Sequence, residues 1–296
     1  MSALSSIPIT FQSRLRRFAI GSVLLLAAFA VTLVHLSGYC LREDLFSYIL
    51  LVPFVTAFLI HAGRQDLDLT YSPAAGVAAG LGALAGVFLM LSFFTGGAEI
   101  NTLALRVLAF VCGWNGIAVW TLGGRLMRGL VFPAAFLLFM TPLPPEQVRW
   151  IEHGLQHASA GFSSWLFGIA DIPFYRTGLS FQLPSITIEV APECSGIRST
   201  LVLFITSLVA GQLLLERPWQ RASLAMLVIP LGILRNAFRI VTLGWLCTHH
   251  GADMIHSPIH HRGGPVFFAI SLLPLLAMLV VFRLLGKRAA RRETDS

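Results

Sequence analysis

Residues 191–200 read APECSGIRST and place a carboxylate, a thiol and a guanidinium close together as Glu193, Cys194 and Arg198. The thiolate is the nucleophilic form of cysteine, and a helix N-terminus or a neighbouring cation lowers the thiol pKa. Cys194 stands where a strand-like segment gives way to a long apolar run, so it begins a helix with Arg198 one turn further on. Glu193 opposes that shift. Ser195 offers an alternative hydroxyl nucleophile, but nothing in the sequence favours it over the adjacent thiol.

Two later stretches carry the groups such a thiol needs. Residues 234–240, LRNAFRI, put Arg235 and Arg239 on one helix face, with Asn236 three residues before Arg239. An arginine inside a membrane span costs ~2.5–3.5 kcal/mol on insertion scales, so it is functional or paired by default. Arg239 cannot act as a base, because guanidinium stays protonated. It can stabilise an oxyanion or the thiolate, and Asn236 can orient it or the substrate. Residues 255–264, IHSPIHHRGG, supply His260 or His261 to take the thiol proton and later protonate a leaving amine. The histidines also raise the question of a metal. Pro258 interrupts the spacing of His256 and His260, no HExxH glutamate accompanies them, and Cys40, Cys112, Cys194 and Cys247 form no CxxC pair. No metal and no cofactor are expected; Cys40, Cys112 and Cys247 read as small apolar fillers.

The elements that must position these groups are membrane spans. The 296 residues are 56% hydrophobic and 12% charged, against about 25% charged in a soluble domain. Runs long enough to cross a bilayer fall at 18–37, 46–62, 71–94, 102–123, 128–143, 195–215, 222–247 and 264–285, or about eight helices. The net charge of +7 reports orientation and contact with membrane lipid rather than a nucleic-acid partner. Arg14, Arg16, Arg17, Arg64, Arg125, Arg128, Arg217, Arg221 and the basic tail collect on one side, which puts both termini in the cytoplasm. The first run lacks an A-x-A site and is expected to be an uncleaved span.

Residues 144–193 break the pattern. Apolar positions at helical spacing, mixed with Glu146, Arg149, Glu152, His153 and His157, predict an amphipathic helix at the outer interface. Alternation from 174 to 190 then predicts a short β-hairpin-like segment before Cys194. The expected fold is therefore an all-α polytopic membrane protein of one integral-membrane domain, 1–296. It divides into an N-terminal bundle (1–143), an outer-face segment (144–193), the helices carrying the reactive groups (194–285) and a basic cytoplasmic tail (286–296). Cys194, the Arg239 region and the histidine loop all fall at the outer membrane face.

ECSGIRS at 193–199, N-x-x-R-I at 236–240 and IHHRGGPVFF at 259–268 together resemble the exosortase and archaeosortase family of membrane cysteine transpeptidases. The resemblance implies a nucleophilic Cys194, an essential Arg239 and a basic His260, with His261 the alternative; Glu193, Arg198, Arg235 and Asn236 would support them. It further implies substrates with a tripartite C-terminal sorting tail: a short Pro-Glu-Pro-type motif, an apolar span and a basic cluster. Such an enzyme would sit in the cell inner membrane, cut at the periplasmic face, and accompany exopolysaccharide production. A short polar tail follows the last span here, so the family's accessory domain is expected on a separate protein. Two other classes compete: a transporter with Arg235, Arg239 and the histidines lining an ion path, and a non-enzymatic scaffold. Paired broken helices in two related halves would mark a transporter, and the sequence has no such duplication. A scaffold gives no reason for a thiol, an intramembrane arginine and a histidine to converge.

Overall fold

The computed structural model describes residues 9–95, 99–184, 186–190, 195–251 and 264–294. They form two compact units, Met1–Pro145 and Glu146–Ser296.

The first unit is helical. Helices α1 (Ile9–Ala28) and α2 (Ala30–Arg42) meet at 67°. A 3-10 segment, Asp44–Leu51, runs into α3 (Val52–Ala62), and α4 (Ala75–Phe94) precedes α5 (Glu99–Leu122). Helix α5 is the axis of this unit. Val107, Ala109, Val111, Ala118 and Val119 are buried on it, and small residues let its neighbours come close. A Cβ at Gly21 of α1 would lie 2.9 Å from Ile117, and Phe18 meets Trp114 edge-on at 5.7 Å. Helix α4 instead exposes Val77, Phe93 and Phe94, as a helix facing acyl chains does.

After α5 the chain cannot continue as a span. Gly123 takes φ +95°, and the Gly124 N–H donates to the Ser72 carbonyl at 2.7 Å. Only α6 (Gly124–Gly129), α7 (Val131–Phe136) and one 3-10 turn follow. The apolar stretch Val131–Met140 reaches about 15 Å at the helical rise, half of the roughly 30 Å hydrocarbon core. Among the described residues six helices are long and apolar enough to cross a membrane, and the bent α1–α2 pair makes up to a seventh. The run at 128–143 is the one among the expected eight that is too short.

The second unit opens with α8 (Pro145–Ile169), amphipathic as its spacing requires: Leu155, Gln156, Ser159, Ala160, Ser163 and Phe167 are buried, while Trp150 and Trp165 are exposed. The expected hairpin is a three-stranded antiparallel meander of β1 (Tyr175–Thr177), β2 (Ser180–Gln182) and β3 (Thr187–Glu189). Arg176 pairs with Phe181, and Phe181 with Ile188. The sheet sets Phe181 and Ile188 against Phe167 of α8 and against Ile240, with Phe167 and Phe181 rings 5.4 Å apart. Arg176 fastens the outer strand by donating to Ser164 of α8 at 3.1 Å.

Helices α9 (Ile197–Leu214), α10 (Pro218–His250) and α11 (Gly264–Thr294) complete the unit. Leu203, Leu224, Val228, Leu275 and Leu279 form their shared core. Close approach depends on glycine: a Cβ at Gly232 would lie 2.5 Å from the Thr200 hydroxyl, and one at Gly244 2.7 Å from the Phe167 ring. Helix α10 is thus clamped by α9 on one stretch and by α8 and the sheet on another.

Candidate functional site

The site is built where α9 begins and α10 passes. Gly196 is the N-cap of α9 and takes φ +75°, a left-handed conformation costing roughly 1–2 kcal/mol for most L-residues. Its carbonyl accepts from the Thr200 N–H at 3.0 Å, the Ser199 hydroxyl at 3.1 Å and Arg235 Nη2 at 3.2 Å. Arg235 also reaches Thr200 Oγ1 at 3.4 Å. The residue is only 8% exposed. A buried guanidinium must be matched by acceptors, and here they come from the turn that follows Cys194. Arg235 therefore staples the start of α9 to the middle of α10.

Asn236 is 3% exposed, and its Cβ and Cγ lie 3.8 Å from where a Cβ on Gly196 would sit. Arg239 follows one turn later on α10 and is half-buried. Ser195 is 2% exposed. Arg198 is exposed on the first turn of α9. So Arg235 bonds the Gly196 carbonyl and Asn236 lies close beside that glycine, which joins the ECSGIRS stretch to N-x-x-R-I. Glu193, Cys194, His260 and His261 lie outside the described residues. Among the described residues no group of three His, Cys, Asp or Glu side chains is placed to hold a metal ion.

A second tether lies on the other side of Cys194. Gln156, 3% exposed on α8, donates from Nε2 to the Val190 carbonyl at 2.7 Å, and Val190 is itself 1% exposed. The backbone is thus held before and after the cysteine by buried charge-neutral and charged donors respectively. Gln156, Thr200 and the conformation of Gly196 are not among the features expected from the sequence. The signal for Gln156 was present, because it occupies the buried stripe of α8 where an apolar residue is the norm.

Gly196→Ala is expected to lower the thermal midpoint in detergent by roughly 2–8 °C, from the left-handed strain and its conversion to Tm. Its Cβ would also press on Arg235 Nη2 at 2.9 Å. Gly196→Asn should recover part of the loss, since asparagine tolerates this backbone region. Tryptophan fluorescence on heating measures both.

A family model described as transmembrane exosortase matches residues 40–277, which is most of the chain and includes α9, α10 and the turn at Gly196. No curated protein and no solved structure matches it.

Proposed function

Because the chain belongs to the transmembrane exosortase family, we propose that it is a membrane cysteine transpeptidase or protease with Cys194 as nucleophile, Arg239 as the stabilising cation and His260 as base. Its substrates are exported proteins with a tripartite C-terminal sorting tail of the Pro-Glu-Pro type. Cleavage takes place at the outer face of the inner membrane, in step with exopolysaccharide production. The observation that carries this reading is the hydrogen bond from Arg235 to the Gly196 carbonyl, with Asn236 close beside it. That contact holds the segment after Cys194 against the helix bearing Arg239.

The chemistry follows from the groups. His260 takes the Cys194 proton, and the thiolate attacks the scissile carbonyl. A substrate whose own span lies in the bilayer presents that bond at the membrane surface, so the nucleophile belongs at the end of a span. Cys194 precedes α9 by three positions. Water kept out by the surrounding helices favours transfer of the acyl group to an amine over hydrolysis. Both termini are cytoplasmic in this reading, and α8 with its sheet lies on the outer side.

The test is co-expression with a tagged protein ending in such a tail, followed by its size on a gel. Wild type should convert it to a shorter form. His260→Ala and His261→Ala, made separately, assign the base. Loss by His260→Ala of about 10²-fold or more, with His261→Ala near wild type, is the expected result. The reverse pattern transfers the role to His261.

A further inference from the structure

Among the described residues, two buried donors beside Gly196 have no acceptor. Asn236 Nδ2 and Arg235 Nη1 are both fully enclosed and lack a hydrogen-bond partner, in residues 3% and 8% exposed. Leaving a buried donor unsatisfied costs about 1–3 kcal/mol, and such groups in native structures call for an explanation. Both flank the start of α9, an 18-residue helix whose N-cap provides no side-chain acceptor. The nearest candidate, Ser195 Oγ, is 3.4 Å from the Ile197 N–H. A helix N-terminus adds backbone donors and the positive end of the dipole. The Gly196 carbonyl and the Ser195 and Thr200 hydroxyls already accept from this turn and from Arg235, and the capacity left over here is donors and positive charge. Such a place is made for an oxygen that gains negative charge.

We propose that Asn236 Nδ2 and the first turn of α9 form the oxyanion hole, with Arg235 as the positioning residue that holds the turn and biases it towards anions. The proposal deepens the cysteine-transpeptidase reading and rests on it. When Cys194 Sγ bonds to the scissile carbonyl carbon, the C=O π pair moves onto oxygen, and that oxygen is received by Asn236. The pair returns as the C–N bond breaks. The departing nitrogen takes the proton that the histidine had accepted from the thiol, and a thioester remains on Cys194. Asn236 is thereby a catalytic residue in contact with the reacting oxygen, distinct from the nucleophile, cation and base.

Asn236→Leu separates this role from a structural one. An apolar side chain of similar size in place of an unpaired amide is nearly neutral or stabilising, so Tm should hold or rise. With the tagged tail substrate, kcat should fall about 10²–10³-fold, the usual effect of losing one such donor, with KM within about threefold of wild type. Asn236→Asp, the same shape with an acceptor facing the oxyanion, should lose at least as much. Processing by either variant within about threefold of wild type overturns the inference. So does a Tm drop in Asn236→Leu with Asn236→Asp remaining active. Cys194→Ala run in parallel keeps the two levels apart. If it is inactive while Asn236→Leu is active, the oxyanion hole is wrong and the enzyme reading stands. If Cys194→Ala still cuts, both fall.

Discussion

Cys194→Ala is expected to leave a tripartite-tail substrate at full length while the protein still inserts and folds. Removal of a nucleophile from a catalytic constellation costs on the order of 10⁶-fold in kcat, well below detection on a gel. The variant should fold because the local backbone does not depend on the thiol. Gln156 holds Val190 on one side, and Arg235 holds Gly196 on the other. Cys194→Ser should be nearly as inactive, since a hydroxyl is a far weaker acid than a thiol and supplies little nucleophile near neutrality. The same variant gives a direct assay of the thiol. Cys40, Cys112 and Cys247 are buried, and burial in apolar surroundings leaves cysteine inert. A water-soluble maleimide should therefore label wild type and leave Cys194→Ala unlabelled. Cleavage by Cys194→Ala at the wild-type rate would remove the nucleophile assignment outright.

What could be read from the sequence, and what could not, follows the range of the forces involved. Long apolar runs such as 71–94 and 102–123 are governed by hydropathy alone, and the helices found there, Ala75–Phe94 and Glu99–Leu122, differ from them by a few residues at the ends. The amphipathic stripe of α8 was equally plain, because its period is a property of consecutive residues. The run at 128–143 misled, since hydropathy carries no information about Gly123 turning at φ +95°. The extended segment was recognised by its alternation, yet three strands formed because Phe181 finds partners on both sides, Arg176 in β1 and Ile188 in β3. At the site, chain order showed that Arg235 and Arg239 share a helix face. It could not show that Arg235 spends its donors on Gly196 and Thr200, thirty-nine and thirty-five residues away. Nor could it show that Gly196 is left-handed. Such pairings are properties of packing between helices, which a pattern along one chain does not encode.

Arg239→Lys is expected to abolish processing as fully as Arg239→Ala, although charge is kept. Guanidinium presents a planar fork of donors, whereas lysine is a compact point charge that cannot place two parallel hydrogen bonds. The division of labour on α10 makes the geometry matter. Arg235 is enclosed and already bonded to the Gly196 carbonyl and Thr200, whereas half-buried Arg239 lies one turn on towards Ile240, against which the sheet packs. Two like charges on one helix face repel, and an anion developing near both relieves that repulsion. In the proposed mechanism Arg239 acts when charge appears, whereas Arg235 holds the resting fold. The two lysine variants should differ accordingly. Arg239→Lys should keep Tm while kcat falls about 10²–10³-fold or more. Arg235→Lys should lower Tm, because an ammonium on a flexible stem cannot satisfy both acceptors at once. Added guanidinium ion should restore measurable cleavage to Arg239→Ala and none to Cys194→Ala, since only the former lacks a group that solution can supply. Wild-type rates from Arg239→Lys would show that its charge alone suffices, and would reassign the planar, directional role to another group.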